Sequence, residues 1–199
     1  MYQETVKRRS IPGKVADDFL IMFQYERDAQ RVYEAIIRRM ELFGLELSKE
    51  KTRILPFGRN CGTRETFDFL GFTHFNNKTR KGYYSVGHKI SRKKKKQFKS
   101  NLKKWVKENR DKQFDEFMKK LNKKLTGSFN YYSLSGMIRE VRSLWIHSLY
   151  VTFKWLNRRS QRRSFKLERF YVVWHERIIH PYIHVDIWSG GKVIYNKNV

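Results

Sequence analysis

Val15-Ala16-Asp17-Asp18-Phe19-Leu20-Ile21-Met22-Phe23 sets two adjacent carboxylates against a run of apolar side chains. A charge beside a buried strand is costly unless something compensates it. One compensation is a cation: two acids at the tip of a β-hairpin, with Val15-Ala16 entering and Phe19 to Phe23 leaving, offer the hard oxygen ligands that magnesium takes. That is the ligand type of two-metal phosphoryl transfer. The other is geometric, because Asp tolerates the backbone angles of a two-residue hairpin loop. On the dipeptide alone the turn is the better reading, since so short a motif recurs by chance.

Outward from this stretch, Met1 to Gly13 shows no period and closes on Pro12-Gly13, so it reads as a leader. From Asp28 the positions Ala29, Val32, Tyr33, Ile36, Ile37, Met40 and Phe43 follow helical spacing, with Gly44 placed to stop the helix. Leu45 and Leu47 alternate with Glu46, and Arg53-Ile54-Leu55 follows a polar turn, which predicts strand, turn and strand up to Pro56. Thr66 to Phe72 alternates aromatics around Asp68 before Gly71, and a hairpin across Asn76 to Gly82 is expected to complete a small antiparallel unit.

The second half changes character at Ser91, a residue suited to cap a helix. Arg92, Lys93, Lys94, Lys95 and Lys96 open that helix, whose buried face would be Phe98, Leu102, Trp105 and Val106. Cations at a helix start oppose the macrodipole, so helix stability does not explain them. A second helix carries Phe114, Phe117, Met118, Leu121 and Leu125 and is expected to end at Gly127. A third runs from Met137 to Leu156 and is strongly aromatic. Beyond it Arg158, Arg159, Arg162 and Arg163 precede Phe170-Tyr171-Val172-Val173-Trp174, and such interleaving of cations with rings suits phosphate neutralisation and base stacking.

The 199 residues carry a formal charge of +25, and 40% are hydrophobic, enough for a real core. Residues 1–90 hold 17 Lys or Arg against 11 Asp or Glu, and residues 91–199 hold 27 against 8. A polyanion, nucleic acid first, is the expected partner, and the C-terminal half is the expected binding half. One cysteine, Cys61, excludes an internal disulfide framework and a Cys-rich zinc module and fits a reducing, cytoplasmic setting. The first 14 residues lack the apolar core of a secretory signal, and Leu144 to Phe153 is too short for a membrane span, so no membrane partner is expected. His175, His180 and His184 are read as surface or core histidines, because Pro181 breaks the helix that would align the last two.

The order of these signals resembles a known family. Ala16-Asp17-Asp18-Phe19, an amphipathic helix, Gly44-Leu45-Glu46-Leu47-Ser48-Lys49-Glu50-Lys51-Thr52 and Phe69-Leu70-Gly71-Phe72 look like the second half of a reverse-transcriptase palm. Leu121-Asn122-Lys123-Lys124-Leu125-Thr126-Gly127, Asn130-Tyr131-Tyr132 and Phe153 to Phe165 resemble the thumb and maturase region of bacterial group II intron reverse transcriptase/maturases.

The resemblance implies an α+β fold: a small antiparallel palm remnant with one or two packed helices, then an all-α thumb and maturase region. It divides the chain into a leader (1–13), the C-terminal part of the palm (14–90), thumb helices (91–130) and a maturase-like region with tail (131–199). By the same resemblance Asp17 and Asp18 are the metal-binding pair for Mg2+, and Lys51 lies near the incoming nucleotide, although an exposed surface lysine is the plainer reading. Phe69, Leu70 and Gly71 grip the primer, or else form an ordinary small sheet. Arg92 to Lys96, Lys103, Arg158, Arg159, Arg162 and Arg163 bind intron RNA, with an RNA/DNA primer-template as a further partner.

Two departures stand out: Val15 occupies the family's tyrosine position, and the family's further metal-binding aspartate comes from an earlier strand that the 14 residues before Val15 do not provide. Three expectations follow. The chain is a truncated maturase that binds structured RNA without polymerising, or a polymerase completed by a separate upstream polypeptide, or an inert relic of a mobile element.

Overall fold

The computed structural model of the protein describes residues 11–15, 18–48, 50–159, 164–187 and 192–193, with backbone alone for 11–15 and 192–193. The fold is α+β, as expected: among the described residues, a three-stranded antiparallel sheet and five helices, most of the helix in the C-terminal half. The chain divides into two compact units, Met1–Leu70 with Phe75–Val86, and Gly71–His74 with Gly87–Val199. No helix among the described residues is long and apolar enough to cross a membrane.

In the first unit, β1 (Ile11–Val15) pairs antiparallel with β2 (Asp18–Met22), Val15 opposite Asp18 and Ile11 opposite Met22. The expected hairpin therefore exists, with a two-residue connection, Ala16 and Asp17, that lies outside the described residues. Its first strand begins at Ile11, inside the stretch read as a leader, and Pro12 is tolerated there because an edge strand needs no donor on its free side. Helix α1 (Glu26–Leu42) follows the predicted spacing and ends where Gly44 takes φ +66°. None of its residues is buried.

Among the described residues of 45–55, the expected strands are absent. The described ones form irregular chain with a turn in which the Lys51 and Thr52 N–H groups donate to Ser48 O, both at 3.0 Å. Alternation predicted a half-buried face, but Leu45 and Ile54 are exposed, and with no strand beside them the backbone gains nothing from extension. The following loop is pinned by one side chain: Asn76 accepts from Gly58 N (3.2 Å) and Tyr84 Oη (2.9 Å) and donates to Thr63 O (3.2 Å).

β3 (Thr66–Phe69), β4 (Phe72–Lys78) and β5 (Tyr84–Ile90) form a meander in that order. Leu70 and Gly71 connect the first two with φ of +51° and +81°, the two positive angles a tight two-residue hairpin demands. A Cβ on Gly71 would meet the Lys94 side chain at 3.4 Å, so glycine there serves both the turn and the close approach.

The second unit holds the core. α2 (Arg92–Asn109), α3 (Phe114–Tyr132), α4 (Ile138–Leu156) and α5 (Leu167–Arg177) bury Val106, Phe117, Leu121, Leu125, Leu144, Leu156, Phe170 and Trp174 completely. Ser91 caps α2 as expected, its Oγ accepting from Lys94 N at 3.4 Å. α3 does not stop at Gly127: Phe129 and Tyr132 continue the buried spacing of Leu121 and Leu125, and burying them outweighs the roughly 1 kcal/mol a mid-helix glycine costs. Short strands β6 (Val185–Asp186) and β7 (Lys192–Val193) pair after α5.

Candidate nucleic-acid interface

The cations expected to bind RNA fall into two groups, both on the second unit. Arg92, Lys93, Lys94 and Lys96 stand exposed on the first turns of α2, and Lys103 is exposed two turns on. Lys95 differs from its neighbours: its Nζ lies 2.9 Å from Glu140 Oε2 on α4, so it staples two helices and is half withdrawn from solvent.

The second group surrounds Trp155, in the last turn of α4. The cationic heads of Lys107, Arg110 and Arg158 lie 5.8, 5.6 and 5.4 Å from its ring centroid. Arg159 reaches across, its Nη1 donating to Arg110 O at 3.3 Å, while Arg110 Nη1 meets Arg158 O at 3.5 Å. The carboxylate that reaches into this group is Asp111, 3.8 Å from Arg110 Nε. An indole face attracts each cation by about 0.5–1 kcal/mol at exposed sites, but the cations repel one another, and an added anion relieves that repulsion.

Asn157 is bound to Phe165, on the far side of the basic run. Its Nδ2 donates to Phe165 O (3.1 Å) and its Oδ1 accepts from Phe165 N (2.8 Å), so both ends of the basic run are tied to one amide. Arg162 and Arg163 lie outside the described residues.

Composition revealed Arg158 and Arg159, but Lys107, Arg110 and Trp155 come from segments 45 or more residues apart. A sequence reading that treats helix α2 and helix α4 separately misses their meeting. The clue was Trp155 standing between Lys154 and Arg158, an aromatic ring inside a basic run.

Residues 95–171, from the first turn of α2 into α5, match the family model described as group II intron, maturase-specific domain. The match supports a group II intron maturase region at this end of the chain. It contains Trp155, Lys107, Arg110, Arg158 and Arg159 and does not reach the Asp-Asp hairpin. No curated protein matches the chain.

Outside the matched residues the remaining candidates lie apart in kind. Asp18 is exposed at the start of β2, and Asp17 lies outside the described residues. Lys51 is exposed in its turn. Phe69 is half-buried at the end of β3, and Leu70 with Gly71 makes the hairpin turn. Among the described residues no three His, Cys, Asp or Glu side chains gather as a metal-holding group. β1, whose sequence is Ile-Pro-Gly-Lys-Val, adds no carboxylate beside Asp18.

Of the three C-terminal histidines, His175 Nδ1 and His180 Nε2 lie 3.2 Å apart, and His180 stacks on Trp145 at 5.4 Å. Burial, with the His180 charge beside it, holds His175 below the ordinary imidazole range.

Proposed function

We propose that the chain binds folded group II intron RNA through its maturase region, without polymerising. The observation that carries this is the convergence of Lys107, Arg110, Arg158 and Arg159 around Trp155, inside the matched domain. Cations alone would favour any polyanion. Guanidinium groups set beside an indole favour RNA, whose folded forms expose unstacked bases and irregular phosphate geometry.

If six to ten Lys or Arg contact phosphates, affinity for a structured intron RNA falls about 10³ to 10⁵-fold between 50 and 200 mM salt. Filter binding across that range tests it. A flat response, or equal affinity for duplex DNA of the same length, overturns the proposal.

The β1–β2 hairpin sustains a second reading, an RNA-directed DNA polymerase whose site is completed by a separate polypeptide. Two-metal transfer needs carboxylates from more than one strand, and β1 supplies none to Asp18. We expect the 199-residue chain alone to give no primer extension on an RNA template with magnesium. Extension that disappears in Asp18→Asn would replace the first reading with the second. If neither RNA binding nor extension is found and the chain elutes as aggregate at moderate salt, the relic reading stands instead.

A further inference from the structure

Between α4 and α5 lies an open cleft of about 720 Å³ whose lining includes Trp145, Tyr150, Tyr171 and His180 together with Arg142 and Glu168. Tyr150 and Tyr171 are 54% and 50% exposed, so two large rings face solvent where a folded core would hide them. Trp145 is fixed from behind, its Nε1 donating to Ile179 O at 3.1 Å, and His180 stacks on it at an interplanar angle of 29°. Scattered exposed rings mean little, but several lining one cleft mark a binding site.

What covers the cleft is indicated by the charges that frame it. Along α4 the residues four apart are neighbours on the surface, and Arg142, Ile146, Tyr150 and Lys154 form such a row, with Arg158 just past the C-cap, every one exposed. At ~1.5 Å rise per residue, Arg142 stands ~18 Å from Lys154, with Tyr150 between. Arg158 is one of the cations around Trp155. An apolar peptide would use the rings and leave the cations idle. A strand with anionic links and flat apolar bases uses both.

We infer that this cleft receives an unstacked base of single-stranded RNA, held against Tyr150 and Tyr171 while neighbouring phosphates lie on Arg142 and on Lys154 with Arg158. The inference rests on the RNA-binding reading and adds to it a place for unpaired nucleotides that the basic surface alone does not require. Base–aromatic contacts of this kind tolerate any base, so sequence preference is weak.

The test uses the full chain, a 12-nucleotide single-stranded RNA of mixed sequence, the same strand in a perfect duplex, and a copy with abasic sites at its centre. Wild type binds the single strand better than the abasic copy. Tyr150→Ala with Tyr171→Ala weakens the single strand by roughly tenfold or more and leaves the duplex unchanged. Tyr150→Phe with Tyr171→Phe retains binding, since the ring faces remain. If wild type binds structured intron RNA with steep salt dependence but the alanine pair does not weaken the 12-mer, the cleft proposal falls alone. If wild type binds no RNA, the functional reading falls with it. Should the alanine pair unfold, 4-thiouridine cross-links decide the matter. Adducts on wild type within 142–150 or 167–175 support the cleft, and adducts confined to 92–110 overturn it.

Discussion

Helix α1 and helix α4 have comparable lengths and both carry apolar residues at helical spacing, yet one buries nothing and the other buries seven side chains. In α1 the apolar stripe of Val32, Ile36, Ile37 and Met40 is only half covered, and Leu42 and Phe43 are 85% and 68% exposed. In α4 the stripe of Val141, Leu144, Leu149 and Leu156 is sealed by α2 and α5. Periodicity specifies which face of a helix is apolar and says nothing of whether an apolar partner exists. Among the described residues, α1 therefore contributes nothing to a buried core, whereas the helical unit owes its order to packing. Charge follows the same division, since the cations gathered in space belong to the packed unit.

The largest consequence is in core truncation. Leu144→Ala removes a fully buried side chain between helices and should cost about 2–5 kcal/mol of unfolding free energy. Ile36→Ala removes a half-exposed one and should cost about 1 kcal/mol or less. Urea titration followed by tryptophan fluorescence reads the first, and amide exchange along α1 reads the second. Equal costs at the two sites would erase the distinction drawn between the units.

A smaller effect is expected at Asn157, where one amide makes two hydrogen bonds across the basic run. Asn157→Ala should lose about 1–3 kcal/mol of stability, as two net hydrogen bonds at about 0.5–1.5 kcal/mol each would. It should also weaken RNA binding while leaving every cation in the sequence. Loss of stability with unchanged RNA affinity would show that the run's placement does not matter to binding.

The helical unit was largely legible because each of its elements satisfies pattern and packing together. Ser91 caps α2, the Phe117, Leu121, Leu125 spacing predicts α3, and Leu144 to Leu156 predicts α4. Gly127 reads as a stop, yet the next buried turn, Phe129 and Tyr132, carries α3 past it. The first unit was less legible for a physical reason. Leu45, Leu47 and Ile54 alternate like a strand, but a strand exists only beside another, and pairing is not written in one segment. The interface was half legible: basic runs announce themselves, while Lys107 with Arg110 and Arg158 on one indole is a product of folding, as is the withdrawal of Lys95 to Glu140. The chemistry at Asp17 and Asp18 rests on resemblance, and the structure describes one of the two.

The smallest effect sharpens the contrast through pH, because all six histidines lie in the second unit. Burial holds His88 below the ordinary imidazole value of 6.5, and its Nδ1 meets that of His74 at 3.0 Å. Burial also lowers His147, with the Lys99 charge on α2 adding to it, and burial with the His180 charge lowers His175. A lowered folded value means the native state binds fewer protons than the unfolded chain just below pH 6.5, so stability rises with pH in that window. The contribution is complete above about 6.5 and is lost as pH falls through the folded values. Thermal melts should therefore show a lower Tm at pH 5.5 than at pH 7.5, and His147→Gln should flatten the dependence. Exchange of α1 amides, corrected for intrinsic rate, should not follow it. A Tm that climbs on acidification would mean that these imidazoles gain partners when charged, reversing the assignment of burial as their governing influence.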